Sequence, residues 1–457
     1  MGKLNKLSGF PELLPSGRVI EQYILDAARQ VFELHGYLSL ETRAVEPIDH
    51  MQRSGEIDKE IYVLRRLHAS AEEADPGLGL HFDLTVPFAR YVLEHAAHLD
   101  FPLRRYQIQK VWRGERPQEG RFREFTQADI DVVGKGPLAF HHEIEMAVVM
   151  ATLLASLPIP PAVIQVNNRK LAEGFYRGVG ATDTQSVLRA IDKLDKIGAD
   201  RVRRLLETET GLTPEAAAKC IKLASIRSLD ASFVEQVRAL GVTNELLDQG
   251  LSELAAVVTG ANAERRGSVV ADLRIARGLD YYTGTVYETQ LVGFESIGSI
   301  SSGGRYDNLA SNDKQSYPGV GISLGVSRLV SILIGKNLVS VSRAVPSAVL
   351  VAVADEASRG ASELVARQLR ARGIPCEVAP SADKFGKQIQ FADRRGIPYV
   401  WFPATTDPEG AAGDTVKDIR SGEQVEADVT RWQPPPDDLK PRVFSNVDTS
   451  TALRESL

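Results

Sequence analysis

The chain reads as a mixed α/β protein of two or three domains, and three features of its 457 residues carry that reading. Two strand-like runs flank a polar turn within residues 101–134. Residues 171–260 turn helical, with few strand-like runs. Beyond residue 346 the pattern alternates strand, helix, strand, helix, strand, as a small domain with a largely parallel sheet does.

Taken in order, Val19, Ile20, Tyr23, Ile24, Ala27, Ala28, Val31 and Phe32 recur at helical spacing, which predicts a helix over Arg18–Leu34 stopped by Gly36. YLSLETRAVEPI then alternates like one strand, ending at Pro47, a residue suited to an edge or an interface. The hairpin follows, its turn read as RPQEGR. In the next segment LLETETGLTPEAAAKCIKLAS and SELAAVVTG give helical patterns. Strands return from about Val269 to Ser302, and VSRLVSILIG predicts a helix to Gly335. The last domain spans AVLVAVA, ASELVARQLRARG, PCEVAP, KFGKQIQFADRRG and PYVWFPA, after which residues 433–457 read as a linker or disordered end. The expected division is 1–170 with 261–337, an insertion at 171–260, and a C-terminal domain at 346–432.

Composition excludes several classes. Lys plus Arg number 54 against 60 Asp plus Glu, so a formal charge of -6 rules against coating nucleic acid by bulk electrostatics; RNA contact would need local patches. Cys220 and Cys376 are too few and too far apart for a disulfide framework or a zinc site. MGKLNKLSGF lacks an apolar signal core, Lys6 stands where myristoylation needs Ser or Thr, and no run is long enough to span a bilayer. The expectation is a cytosolic protein.

The informative stretch is RGERPQEGRFREFTQADID. Six arginines and Lys110 face only Glu115 and Glu119 between Phe101 and Arg123. Strand alternation puts Gln107, Gln109, Val111, Arg113 and Glu115 on one face, and Phe125, Gln127, Asp129 and Asp131 on one face of the return strand. A solvated hairpin would scatter these charges; gathering them by period suggests a surface for a ligand that carries both anionic and cationic groups. Guanidinium forks suit phosphate because they donate two parallel hydrogen bonds. ARGLDYYTGTVYE adds two tyrosines beside Arg277, and SSGGRYDNL adds glycines where a ligand could approach closely. GVGISLGVSRL fails the dinucleotide spacing by one residue and leaves a strand, a glycine turn and a helix with Arg328. In FHHEIEM, His141 and Glu145 have metal-capable spacing without the HExxH order, so a plain helix face is the better reading.

Together LTVPFARY, VWRGERPQEGRFREFTQADIDVVG, RGLDYYTGTVYE, GGRYDNL and GVGISLGVSRL resemble the histidyl-tRNA synthetases, a class II aminoacyl-tRNA synthetase family, from about Leu7 to Trp432. RGLDYYTGTVYE is the most specific element; the arginine hairpin is shared more loosely by other class II enzymes. The resemblance implies a six-stranded antiparallel catalytic sheet, a homodimer through the segment near Pro47, an insertion that meets the tRNA acceptor arm and a C-terminal anticodon-binding domain. It implies ATP and Mg2+, a histidyl-adenylate intermediate, and L-histidine and its tRNA as substrates. By resemblance Arg113 grips the α-phosphate, Glu115 reads the adenine amino group, Arg121 and Arg328 meet the triphosphate, and Phe125 stacks on adenine. Arg277 would reach the α-phosphate and the histidine carboxylate. Asp83, Thr85 and Gln127 belong to the amino-acid site, with Asp83 and Gln127 on the ammonium, Asp131 and Tyr282 on the imidazole, and Tyr306 nearby.

Two departures stand out: Asp83 and Asp131 occupy positions where many bacterial members carry Glu, and Ser327 one where Glu is common. A non-catalytic histidine-sensing paralogue is the rival reading. It would lack the C-terminal domain and tend to lose the ATP-binding arginines. A ligase of the same fold for another acid is disfavoured by RGLDYYTG.

Overall fold

The computed structural model describes residues 7–52, 60–68, 77–275, 282–311, 315–404 and 413–447. These fall into two compact units, one centred on residues 24–336 and one on 337–446.

The first unit holds strands β1 (Leu38–Ser39), β2 (Val45–Pro47), β3 (Leu78–Leu80), β4 (Leu103–Trp112), β5 (Glu124–Val133), β6 (Ala162–Asn168), β7 (Arg227–Ser228), β8 (Val269–Asp272), β9 (Thr285–Leu291), β10 (Ser301–Tyr306) and β11 (Gly319–Gly325). Nine of them form one sheet, in the order β1-β4-β5-β11-β10-β9-β6-β8-β7. From β4 to β6 every neighbouring pair is antiparallel, which is the expected six-stranded core. β1 and β8 add to its two edges in parallel, and β7 closes the far side.

Register gives this sheet two chemically different faces. Tyr106, Ile130, Ile322, Gly303, Tyr287 and Val166 lie in one row across six strands, and all are buried. Helix α4 (His141–Ser156) covers that side: Arg104 of β4 donates to its Glu145, and the Tyr287 hydroxyl donates to the Glu143 carbonyl at 2.5 Å. The adjacent rows, one residue over, are polar and face the other way.

Several expectations shift in detail. The run at 37–48 is two strands rather than one, because the chain crosses between sheets at Thr42, whose hydroxyl and carbonyl accept from Gln107 and Gln109 of β4. The hairpin turn is wider than RPQEGR and spans residues 113–123, with Gly120 at φ +70°. The first helix starts earlier, at Pro15, and ends at Leu34 before Gly36 at φ +77°. Between β6 and β8 the chain is mainly helical from Arg169 to Glu264, with the short β7 reaching the sheet edge. Glu145 is already held by Arg104 and by the His142 ring, and His141 is exposed, so the His141/Glu145 pair is a helix face.

In the second unit a five-stranded sheet starts with two parallel pairs and ends with two antiparallel pairs. AVLVAVA forms an interior strand of it, Val349–Val351, and is apolar throughout because helices cover both faces. Val349 and Val351 pack with Val365 and Leu369 of the helix Arg359–Ala371. Leu350 packs with Ala392 of the helix Phe385–Arg395. The tail departs from its expected disorder over residues 433–447. Val443–Ser445 pairs antiparallel with Val339–Val341, and Asp438 accepts from Tyr399 at 2.8 Å and from Arg420 at 2.9 Å. Sequence polarity alone hid this, since partners from earlier in the chain satisfy the tail's polar groups.

Candidate active site

Two polar rows cross the sheet face opposite α4. One runs Arg105, Asp131, Gly321, Gly304; the next runs Gln107, Asp129, Ser323, Ser302, Glu288, Gln165, with Gln109 and Gln127 paired beyond it. Alternation therefore does place the predicted hairpin residues on one surface. A cavity of about 680 Å³ opens there, lined by Arg113, Glu115, Arg121, Phe125, Gln127, Tyr282 and Arg328 among others. Asp131 and Tyr306 lie on the same face without lining that cavity, bonded to each other. Asp83 precedes and Thr85 opens helix α3 (Thr85–His95). Arg277 lies outside the described residues, so its expected position stays an expectation.

Charge is divided across this region. In the cavity three guanidinium groups converge. Arg113 donates through Nε to the Phe82 carbonyl at 3.0 Å and lies 5.1 Å from the Phe125 ring centroid. Arg121 is half-exposed, 3.5 Å from Glu115. Arg328 donates to the carbonyls of Gly120 and Ser299, which fixes its head beside the hairpin turn. Burial, then the charges of Arg121 and Arg113, lower its pKa from the usual guanidinium value. Cations that repel one another across a cavity are arranged for an anion that relieves the repulsion. Ser327, at the position where an acid is common, accepts the Thr126 backbone N–H at 2.8 Å and ties the last helix to β5.

Next to the cavity, among groups that do not line it, the balance reverses. Asp83, Asp129 and Asp131 are 3%, 2% and 2% exposed, and the one fully buried guanidinium among them is Arg105. Arg105 pairs with Asp131 at 2.7 Å, donates to the Leu84 carbonyl at 3.1 Å and lies over the Phe88 ring. The Tyr306 hydroxyl donates to Asp131 at 2.7 Å. Asp83 accepts the Val86 N–H at 3.1 Å through Oδ1, while its Oδ2 has no partner among the described residues. Burial pushes Asp83 up to about 6 against the pull of the Val86 bond, Arg113 and Arg105. Burial also pushes Asp129 up to about 7, with Arg105 and Ser323 opposing and Asp131 and Asp83 adding. Three carboxylates around one buried cation leave room for a positively charged ligand.

Glycine makes this acid end possible. A Cβ on Gly321 would stand 2.0 Å from Asp131 Oδ1, and one on Gly304 would stand 2.9 Å from the Tyr282 ring. The GG and GVG runs thus make space for the two side chains expected at the imidazole.

Sequence reasoning missed Arg105, Asp129 and Ser323 as site residues. Arg105 was legible by counting the alternating face two residues further back from Gln107. Alternation already puts Asp129 on the polar face, without a role; joining it to Ser323 needs the strand register, which links segments almost two hundred residues apart.

Comparison with known proteins agrees with this geometry. The family model described as histidyl-tRNA synthetase matches residues 9–329, and one described as anticodon binding domain matches residues 347–431. A histidine–tRNA ligase of Cutibacterium acnes is 59% identical, covering 97% of this chain and 99% of its own. That of Micrococcus luteus is 58% identical with the same coverage. The crystal structure of histidyl-tRNA synthetase from Nostoc sp. PCC 7120 superposes with a TM-score of 0.82 at 36% identity, covering 93% of this chain and 97% of that one. With matches of this extent over both units, the chain belongs to the histidyl-tRNA synthetase family.

Proposed function

We propose that this protein ligates L-histidine to its cognate tRNA at the expense of ATP, through a histidyl-adenylate, releasing AMP and pyrophosphate. The observation that carries the proposal is a divided polar face: a cavity lined by guanidinium groups beside a cluster of buried carboxylates.

The first step brings two anions together, the histidine carboxylate and the α-phosphate, and holds them in line for attack. Arg113 takes the α-phosphate and offsets the charge that develops there. Arg121 and Arg328 hold the outer phosphates, Phe125 stacks on adenine, and Glu115 accepts from its amino group. Arg277 completes the neutralisation at the α-phosphate and the carboxylate. Among the described residues no group of three or more His, Cys, Asp or Glu is placed to hold a metal. Magnesium would come with ATP and shield the charge of its phosphates, and Glu115, Asp192 and Glu288 are carboxylates of the cavity lining that would face it.

At the acid end Asp83 and Gln127, beside Thr85, take the ammonium group. Asp131 and Tyr282 take the two imidazole nitrogens, and Tyr306 holds Asp131 in place. A side chain that cannot supply both hydrogen bonds leaves buried groups unpaired, which discriminates strongly without editing. The terminal tRNA ribose hydroxyl then accepts the acyl group, and the second unit reads the anticodon. Exposed Val63, Leu67 and Leu78 around the β2–β3 ladder support a homodimer there. None of the described helices is long and apolar enough to cross a membrane, and the assigned activity belongs to the cytoplasm.

The retained arginines favour this reading over the histidine-sensing paralogue. The test is aminoacylation of total tRNA with each of the common amino acids in turn. Histidine alone should charge. Equal charging by another amino acid, or none by histidine, would refute the proposal, and sedimentation of the free protein tests the dimer.

A further inference from the structure

We propose that Asp129, acting with Ser323, is a positioning pair that fixes which end of the Gln127 amide meets the substrate. This deepens the reading above and rests on it. Gln127 Nε2 donates to the Ser323 hydroxyl at 2.6 Å and reaches Asp129 Oδ1 at 3.4 Å. Ser323 stands directly opposite Asp129 in the register, and its hydroxyl acts against the burial that raises the Asp129 pKa. Register explains the triangle: Ser323 of β11 pairs directly with Asp129 of β5, and Gln127 stands two residues along on the same face.

An amide is ambiguous. Its oxygen would receive an ammonium group, and its NH2 would receive a carboxylate. The substrate carries both groups on one carbon, so an amide free to turn would serve either. Above about pH 7 Asp129 is ionised and its carboxylate only accepts hydrogen bonds, so it orients the Ser323 proton toward itself and leaves the Ser323 lone pair to the Gln127 NH2. Gln127 Oε1 is left facing away from the pair, buried and, among the described residues, without a partner. Gln127 is 7% exposed and both it and Ser323 line the cavity. Asp83 Oδ2 is likewise buried and unpartnered. Two acceptor oxygens on a β-strand and the start of a helix are thus reserved for one donor-rich cation. Arg105 cannot play that part for Asp129, since its closest ionic partner is Asp131.

In Asp129→Asn the residue behind Ser323 can donate as well as accept, and the constraint on Gln127 is lost. The probes are histidine, histidinol, which keeps the ammonium and loses the carboxylate, and imidazolepropionate, which keeps the carboxylate and loses the ammonium. In pyrophosphate exchange by the full-length protein, Asp129→Asn should raise the KM for histidine and the inhibition constant of histidinol together, by about 10- to 100-fold. The inhibition constant of imidazolepropionate should stay within a factor of two or so, because it never uses Gln127 Oε1. Ser323→Ala, which removes the relay without adding a polar group, should show the same pattern more weakly. A rise for all three compounds in step would mean a deformed pocket and overturn the proposal, as would no change for histidinol in both variants. Histidine-dependent exchange by the parent protein is the control: its absence would remove the functional reading itself.

Discussion

Two neighbouring regions of one site solve opposite electrostatic problems. In the cavity Arg113, Arg121 and Arg328 accumulate positive charge at the hairpin turn and the start of the helix Val326–Gly335, where a half-exposed Arg121 costs little while it waits for an anion. At the amino-acid end Asp83, Asp129 and Asp131 are almost wholly buried, and burial itself pushes all three toward the neutral form. A large, flexible polyanion is met by cations on a turn and a helix start. A small, rigid cation is met by carboxylates fixed on strands and a helix start.

Substitutions that move one end without the other sharpen this contrast. The largest effect is expected at the acid end: Arg105→Met strands Asp131 in the interior, and urea denaturation should show a loss on the order of 3–5 kcal/mol. An unchanged midpoint would mean that the pair carries no weight in the fold. Next, Arg113→Ala should cut histidine-dependent pyrophosphate exchange by about 100- to 1000-fold, as removal of a preorganised charge at a reacting centre does. Circular dichroism should show the fold retained, because Arg113 bonds only one backbone carbonyl, that of Phe82, among the hydrogen bonds it makes through Nε.

The smallest effect is one of pH. In the unliganded protein Asp129 is pushed up to about 7 from an ordinary value of 3.8, so the folded state binds a proton that the unfolded chain releases. Its contribution to stability therefore falls as pH rises from about 4 to 7, and the penalty is fully present above 7. Asp129→Asn should accordingly be more stable than the parent at pH 8, by on the order of 1 kcal/mol, and the gain should shrink toward pH 5. A gain independent of pH would show that ionisation is not its source.

How much of this was legible in the sequence depended on range. Local alternation in RYQIQKVW and TQADID set the polar face, and the apolar run AVLVAVA set a strand covered on both sides; both rest on periods of two residues. What stayed hidden was held by distant partners. The strand at Val443–Ser445 exists because Val339–Val341 pairs with it, and Asp129 gains its role from Ser323 on β11. Asp131 was predicted as an imidazole ligand, but its Arg105 partner came from a strand whose first residues were read only as basic.

The division assigns one substrate to the cation-lined cavity and the other to the carboxylates beside it. It is tested most directly by crossed saturation curves in pyrophosphate exchange, varying ATP and histidine separately in Arg328→Ala and Asp83→Asn. Asn keeps the oxygen that caps Val86, so the helix start should survive. The expected result is a rise of about tenfold or more in KM for ATP alone in the first variant and for histidine alone in the second. Equal rises for both substrates in both variants would contradict the division.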